Sequence, residues 1–520
     1  MSKLSSRQWA GAGATGLLLF LASPGLFSIP LLAWLALLPL LAALSRPGMT
    51  SGGAARLGLT AGLVYFPLLL YWINFVLGQY GNLPYWVTVP LLLLLSLYMS
   101  LYLATFALLT WRLQGRTCLI WLAPIVWVGL DWLRGWLFTG FPWQDLGYSQ
   151  FQSPLLIQVA DLFGHHGVTF LIIMVNVLLA LAVQHFPEKF FRPTRPGLAL
   201  ISALLLLLGA GGYSVMRYRQ IEQEMTGAEK LKVAVIQGNI DQGDKWLPHL
   251  QETTLKKYLD LSRRELTGNS PTLLVWPETA MPFYLSESTE LIGLETITAS
   301  SHTNILTGAP HRETNLGRGE TKYFNSAFLI DDKGVLADRY DKEHLVPFGE
   351  YVPLKKAFFF LGPLVQAVAD FSPGSNLRPI PCHNTQLGVL ICFESIFPDL
   401  ARSQTAAGAG LLVNLTNDAW YGRTSAPWQH LSMAVFRAVE NRRSLARSAN
   451  TGVSGFIDPL GHMHQLSPLF EEYTGSRQLP LLRTTTVFTS HGGHLAGAVC
   501  FALALLLALA LKFRKSSIPC

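Results

Sequence analysis

The sequence predicts a multi-pass α-helical membrane bundle carrying an α/β domain, on three observations. The 520 residues exceed the roughly 250–300 at which a single core stops growing, so more than one unit is needed. Half the residues are hydrophobic and only 14% are charged, against roughly 25% in soluble domains, and mean hydropathy is +0.33. Long apolar runs crowd the two ends of the chain and leave a middle stretch with none. This composition excludes a disordered chain, a nucleic-acid-binding tail and an ordinary soluble enzyme.

A transmembrane helix needs about 20 mostly apolar residues to cross roughly 30 Å of hydrocarbon. Seven runs qualify before residue 220, at about 9–23, 26–44, 56–77, 86–111, 118–138, 166–185 and 197–216, and an eighth follows at about 494–512. The expected organisation is a membrane domain over 1–220, a soluble domain over 228–485, a last helix over 494–512 and a tail over 513–520. The basic residues orient it. Lys3 and Arg7, Arg46 and Arg56, Arg112 and Arg116, Lys189, Arg192 and Arg195, and Lys512, Arg514 and Lys515 mark one side, while the loop from Gly78 to Tyr85 has no charge. By the positive-inside rule both termini are cytoplasmic and the soluble domain lies outside, which in a bacterium is the periplasmic face of the inner membrane. The net charge of +7 therefore reports membrane orientation and no nucleic-acid partner. A cleaved signal peptide ending near Ala22 and Ser23 is the competing reading, but Pro24 suits cleavage poorly and another apolar run follows at once.

The soluble stretch alternates strands and helices. Residues 231–236, 272–276, 304–307, 326–330, 387–392 and 411–415 are short apolar or β-branched runs bounded by turn formers. Helical patterns cover 249–266 and 429–449, and 452–458 enters a tight turn at Pro459, Leu460 and Gly461.

Three segments combine an apolar strand end with a reactive group beside it: Leu273 to Glu278, Arg339 to Leu345, and Gly388 to Glu394. Cys392 ends its strand just before a helix expected from Pro398, where a nucleophile elbow would stand, and the N–H of Phe393 can help to form an oxyanion hole. A free thiol is only a few per cent thiolate at neutral pH, so Glu278 as base and Lys342 as a cation lowering the thiol pKa would complete the chemistry. Taken alone, Cys392 reads more readily as a buried core residue; three such segments in one domain shift the balance.

Trp276-Pro277-Glu278, the run Lys342 to Glu350, and Ile391-Cys392-Phe393-Glu394-Ser395 resemble the three signature segments of the nitrilase (carbon–nitrogen hydrolase) superfamily in order and spacing. With seven helices before the domain, one after, and Phe138-Thr139-Gly140-Phe141-Pro142-Trp143 after the fifth, the whole chain resembles the bacterial apolipoprotein N-acyltransferase family. The resemblance implies a nitrilase-like αββα sandwich and a catalytic triad of Glu278, Lys342 and Cys392. Glu350, Glu394 and Phe393 take supporting positions, Trp246 falls on a substrate-binding position, and Phe393 stands where many relatives carry Tyr. The implied activity is ping-pong acyl transfer. The sn-1 acyl chain of a phospholipid passes through a Cys392 thioester to the α-amine of a diacylglyceryl apolipoprotein, with no cofactor and with the chain acting as a monomer.

A lipid-using site should meet the bilayer surface. Tyr351, then Lys355 and Lys356, then Phe358, Phe359 and Phe360 combine basic and aromatic residues as an interfacial lid would, and Met281 and Phe283 are candidates for a facing wall. The alternative is an ordinary buried helix.

Other features are weaker. Gly11 to Gly16 fits the dinucleotide pattern, but no strand precedes it and small residues in a membrane helix serve close packing. Asp131 and Arg134 can form an ion pair or meet a headgroup. His462 with His464, and His491 with His494, lack a third ligand nearby, so no metal is expected, and all five cysteines are expected to be free. Competing functions are a membrane-tethered amidase or nitrilase with water as acceptor, and a transporter in which Cys392 is structural.

Overall fold

A computed structural model describes residues 4–114, 116, 118–185, 195–285, 291–315, 320–351 and 371–513. The chain divides into two compact units, Met1–Phe75 with Pro84–Tyr218 and His491–Cys520, and Val76–Leu83 with Arg219–Ser490.

The first unit is helical. Among the described residues four helices are long and apolar enough to cross a membrane: Ser51–Leu69, Tyr85–Arg112, His165–Val183 and Gly197–Gly227. Of the other expected spans, several are shorter or broken. Ser6–Ala22 and Leu119–Arg134 have 17 and 16 residues, while the last, expected over 494–512, is the 20-residue helix His494–Phe513. The run at 26–44 folds as a 3-10 turn, Pro30–Trp34, and a helix, Leu38–Leu44, with a proline in the first turn of each. The run at 56–77 divides into Ser51–Leu69 and Trp72–Gln79. Hydropathy reports apolarity; proline and chain reversal decide where the helix stops.

Small residues let these helices approach. A Cβ on Gly16 would stand 2.4 Å from Ala61 O, and one on Gly58 2.4 Å from Leu103 O. Gly16 thus belongs to a helix contact and not to a phosphate loop. Arg134 is buried and donates to Asp131 at 3.4 Å and to Trp143 O at 3.2 Å. It also pairs with Asp145, whose other oxygen meets His165 Nε2 at 2.7 Å, so the ion-pair reading of Asp131 and Arg134 holds within a wider network.

Among the described residues the second unit contains twelve strands: β1 (Lys230–Gln237), β2 (Leu273–Val275), β3 (Asn304–Asn315), β4 (Glu320–Ile330), β5 (Leu336–Asp341), β6 (Ile380–Cys382), β7 (Thr385–Ile391), β8 (Leu411–Thr416), β9 (Ser444–Ala449), β10 (Gly455–Ile457), β11 (Met463–His464) and β12 (Tyr473–Pro480). They form two six-stranded sheets, ordered β12-β1-β2-β3-β4-β5 and β11-β10-β9-β8-β7-β6. Alternation decides which face each residue takes. Val233, Val235, Leu273, Val275 and Leu306 of the first sheet pack against Leu387, Val389, Ile391, Val413 and Leu415 of the second in one core. Ala234, Ile236, Leu274 and Ile305 face the opposite way, onto Leu255 and Leu259 of helix Gln251–Gly268 and Leu294 and Ile297 of helix Leu291–Ser301. Helices Pro398–Ala406 and Ala426–Asn441 pack on the other sheet. This is the expected four-layer αββα arrangement.

Two expectations need correction. The helix expected over 429–449 ends at Asn441, where Arg442 turns left-handed (φ 51°), and Ser444–Ala449 continues as the fully buried strand β9. Both pieces are buried nearly all round, so no periodicity marks the junction. Cys382, Cys392 and Cys500 are free, but Cys118 is disulfide-bonded, against the expectation of free thiols throughout.

Candidate active site

The loop ends of β2, β5 and β7 carry Glu278, Lys342 and Cys392. Backbone close packing places the first. Gly308 on β3 lies under the loop: its N–H donates to Pro277 O at 3.2 Å, and its own carbonyl accepts from Met281 N at 3.0 Å. Lys342 continues β5 by one residue, its N–H donating to Asn325 O at 2.9 Å. Three non-glycine residues with positive φ mark the three segments, Thr279 (47°), Phe348 (61°) and Cys392 (51°). Such backbone costs on the order of 1–3 kcal/mol each and persists only where surrounding structure enforces it.

The buried side chains form a ring. Asn325 Nδ2 donates to Glu278 Oε1 and to Glu350 Oε1, both at 2.8 Å. Lys342 Nζ lies 2.9 Å from Glu350 Oε1 and 3.5 Å from Glu278 Oε1. Val346 N–H holds the other Glu350 oxygen at 2.8 Å. Two carboxylates thus share an ammonium and an amide. Burial works against the Lys342 charge, but the fields of Glu350, Glu278 and Cys392 outweigh it and hold the ammonium above its ordinary pKa.

Cys392 heads the 3-10 turn Cys392–Ile396, whose first amides, including that of Phe393, lack intrahelical acceptors. Burial pushes the thiol up, the charge of Glu278 adds to this, and Lys342 opposes it without prevailing. Lys342 thus acts on the thiol in the expected direction, but burial first and the Glu278 charge second outweigh it, so the net effect is upward. The turn is braced from below. His430 Nε2 meets Cys392 O at 3.0 Å, and His430 Nδ1 meets Asp418 Oδ1 at 3.0 Å. Asp418 Oδ2 accepts from buried Arg447 at 2.8 Å.

Glu394 points away from this ring and clamps two segments. Its Oε1 accepts from Tyr340 OH at 2.9 Å, Glu343 N at 2.8 Å and His344 N at 3.2 Å, and its Oε2 accepts from Ile391 N at 2.7 Å. Burial raises its carboxyl to about 7 against the lowering effect of these amides and Lys342. Phe393 is buried, its ring 5.2 Å from that of Phe397 and 6.0 Å from that of His344. Burial and the Lys342 charge push His344 down to about 4, which leaves it neutral.

Trp246 is 47% exposed on the loop after β1, beside Lys245. Tyr351 is half-buried and bridges to Pro347, while Phe358, Phe359 and Phe360 lie outside the described residues. Met281 is a core residue with no exposed surface and Phe283 packs at the margin of the same core, so the structure does not bring this pair to the ring as a substrate wall.

Sequence reasoning missed Asn325 and Lys245. Lys245 is buried and donates from Nζ to Glu278 O at 3.1 Å, and burial lowers it to about 8 against the charges of Glu278 and Cys392. The available signals were slight: a polar residue closing the inward side of an apolar strand, and a lysine adjacent to Trp246.

Residues 232–487 match the carbon-nitrogen hydrolase family model, which gives the class of the domain. Residues 15–178 match the model of the apolipoprotein N-acyltransferase N-terminal domain. The chain is 42% identical to the apolipoprotein N-acyltransferase of Geobacter metallireducens, over 98% of this chain and 96% of that one. It is 31% identical to that of Shewanella oneidensis, over 86% and 85%. A solved amidase from Nesterenkonia sp. aligns at 20% identity, covering 49% of this chain and 92% of that one with a TM-score of 0.36. The chain belongs to the apolipoprotein N-acyltransferase family.

Proposed function

We propose that the protein transfers an acyl chain from the sn-1 ester of a phospholipid, through a thioester on Cys392, to the α-amine of the diacylglyceryl cysteine that begins an apolipoprotein. The observation that carries this reading is the buried ring in which Asn325 and Lys342 join Glu278 to Glu350 beside a thiol held at positive φ. The resting thiol is protonated, so Glu278 takes its proton as sulfur attacks the ester carbonyl. Lys342 and the Phe393 N–H stabilise the oxyanion, the proton passes to the departing glycerol oxygen, and the lysophospholipid leaves. The amine then attacks the thioester, Glu278 accepts its proton, and that proton returns to the Cys392 sulfur as the amide forms. In this reading Glu350 holds Lys342 in place, Glu394 fixes the elbow and Trp246 contacts substrate at the mouth.

Further parts of the proposal concern setting. The membrane-capable helices and the family support residence in the inner membrane as a monomer, with eight spans, domains over 1–220, 228–485 and 494–512 and a cytoplasmic tail over 513–520. The uncharged segment 76–83 supports a periplasmic catalytic domain and cytoplasmic termini, since it belongs to the same compact unit as that domain. Tyr351 and the segment around Phe358, Phe359 and Phe360 would then meet lipid. The amidase alternative is not favoured by family membership. Incubation of the full chain in mixed micelles with acyl-labelled phospholipid tests the reading. A hydroxylamine-labile label on the wild type that is absent from Cys392→Ala, and that chases onto a diacylglyceryl peptide, is expected. Release of free fatty acid without peptide labelling would overturn it.

A further inference from the structure

At the turn between β10 and β11, sequence spacing alone offered two histidines and no third ligand. The fold supplies Asp458. Its Oδ2 meets His462 Nδ1 and His464 Nε2, each at 3.0 Å, and one ligand atom from each of the three residues lies within 4.8 Å of the others. We propose that Asp458, His462 and His464 form a site for a divalent transition-metal ion, zinc(II) foremost.

Two of the three ligand separations are close to what an ion requires, and the two imidazoles, their ring centroids 6.1 Å apart, have only to turn toward each other. Ligands at about 2.0–2.1 Å around a tetrahedral zinc stand about 3.3 Å apart. The two Asp458 contacts are 3.0 Å, so an ion replacing the shared protons would open each by about 0.3 Å. The carboxylate is fixed from behind, its Oδ1 accepting from Leu460 N at 2.9 Å and His462 N at 3.0 Å, as outer-shell partners fix metal ligands elsewhere. Gly461, at φ 94°, closes the turn that brings His462 back over Asp458. The two imidazole side chains are 35% and 25% exposed while Asp458 is 7%, so an ion can enter from solvent and keep a water ligand. Two imidazoles with one carboxylate suit zinc, cobalt, nickel or copper better than calcium or magnesium, which prefer all-oxygen cages. The other His and Asp group, Asp145 with His165 and His166, already has the Arg134 guanidinium on its carboxylate and is a poorer host for a cation.

The site is separate from Cys392. Ile457, the last residue of β10, pairs with Leu445 near the start of β9, which pairs with Leu412 and through it with Gly388. Cys392 follows Ile391, at the opposite end of that ladder, and three strand steps of roughly 4.8 Å separate β10 from β7. The ion would pin the hairpin on the edge of the second sheet and take no part in acyl transfer.

The test uses the tag-free full chain in detergent, stripped with chelator, in the Cys392→Ala background so that the nucleophile cannot compete as a ligand. Zinc calorimetry and the visible d–d absorption of cobalt(II) are read on this chain and with Asp458→Asn or His464→Gln added. One saturable ion per chain is expected, with affinity falling at least tenfold in each variant. Asn keeps an Oδ1 acceptor for the turn amides, and the His464 ring touches Asp458 alone among the hydrogen bonds described, so both variants should melt with the parent in chelator. Binding that is absent, or unchanged in both variants, overturns the proposal.

Discussion

Gly308→Ala tests the ring without altering the side chain of any of its members. A Cβ there would stand 2.4 Å from Thr279 N, 2.7 Å from Pro277 O and 2.8 Å from Glu278 Cα, where ordinary contact begins at 3.4 Å. Every close neighbour is backbone, so the loop must retreat by about 1.0 Å, the difference between 3.4 and 2.4. Such a shift stretches the 2.8 Å bond from Asn325 to Glu278 beyond hydrogen-bond range and draws the base from the thiol. Misplacement of about 1 Å costs roughly 100-fold in rate, or about 2.7 kcal/mol of barrier, while overpacking costs about 1–3 kcal/mol of stability. Single-turnover formation of the Cys392 thioester from labelled phospholipid measures the first quantity and thermal melting the second. A folded Gly308→Ala protein that acylates within threefold of the wild type would refute the claim that this close approach positions Glu278.

Asn325→Ala leaves two buried carboxylates with one donor fewer and should slow acylation by about 10- to 100-fold, measured in the same assay, with the melting temperature as control. Lys245→Met keeps the length of the side chain but loses the bond to Glu278 O, and kcat should fall about tenfold or more with KM little changed. The pKa of Glu394 in the folded chain, about 7, lies above the ordinary 4.5 of a glutamate, so its stabilising contribution is present below about pH 4.5 and lost as pH rises through 7. Denaturant melts at pH 5 and pH 8 should therefore show a smaller decline in Glu394→Gln than in the wild type. Because Glu278 helps to raise the thiol pKa, Glu278→Gln should move the onset of Cys392 alkylation to lower pH, and an unmoved onset would count against that coupling.

Much of this molecule was legible in its chain. The strands carrying buried apolar runs, β2, β7 and β8, stood out, and each of the three signature segments lies at the end of a strand or just beyond one. Edge strand β12 was missed because its exposed residues are polar and its pairing with β1 is set by a partner far away in the chain, and β6 because three residues are too few to show a pattern. The ring's fourth member, Asn325, depends on the pairing of β4 with β5, which no local pattern reports. The same holds for Lys245, which crosses from the β1 loop to a carbonyl 33 positions away. Asp458 was invisible as a ligand because proximity across a turn is a matter of side-chain direction as well as spacing.

The short stretch Val76–Leu83 has a further meaning. It belongs to the catalytic unit although in sequence it lies between Phe75 and Pro84 of the other, and Tyr80 donates to Ala419 O at 3.0 Å with its ring 4.8 Å from that of Trp420. A ribosome makes it about 140 residues before the body on which it rests, so the docking patch must wait, undressed, until the later sequence has been made and has folded. Excising the enzyme core for expression as a free fragment from Arg219 onward would strip away that cover and leave an aromatic scar beside the Asp418 brace.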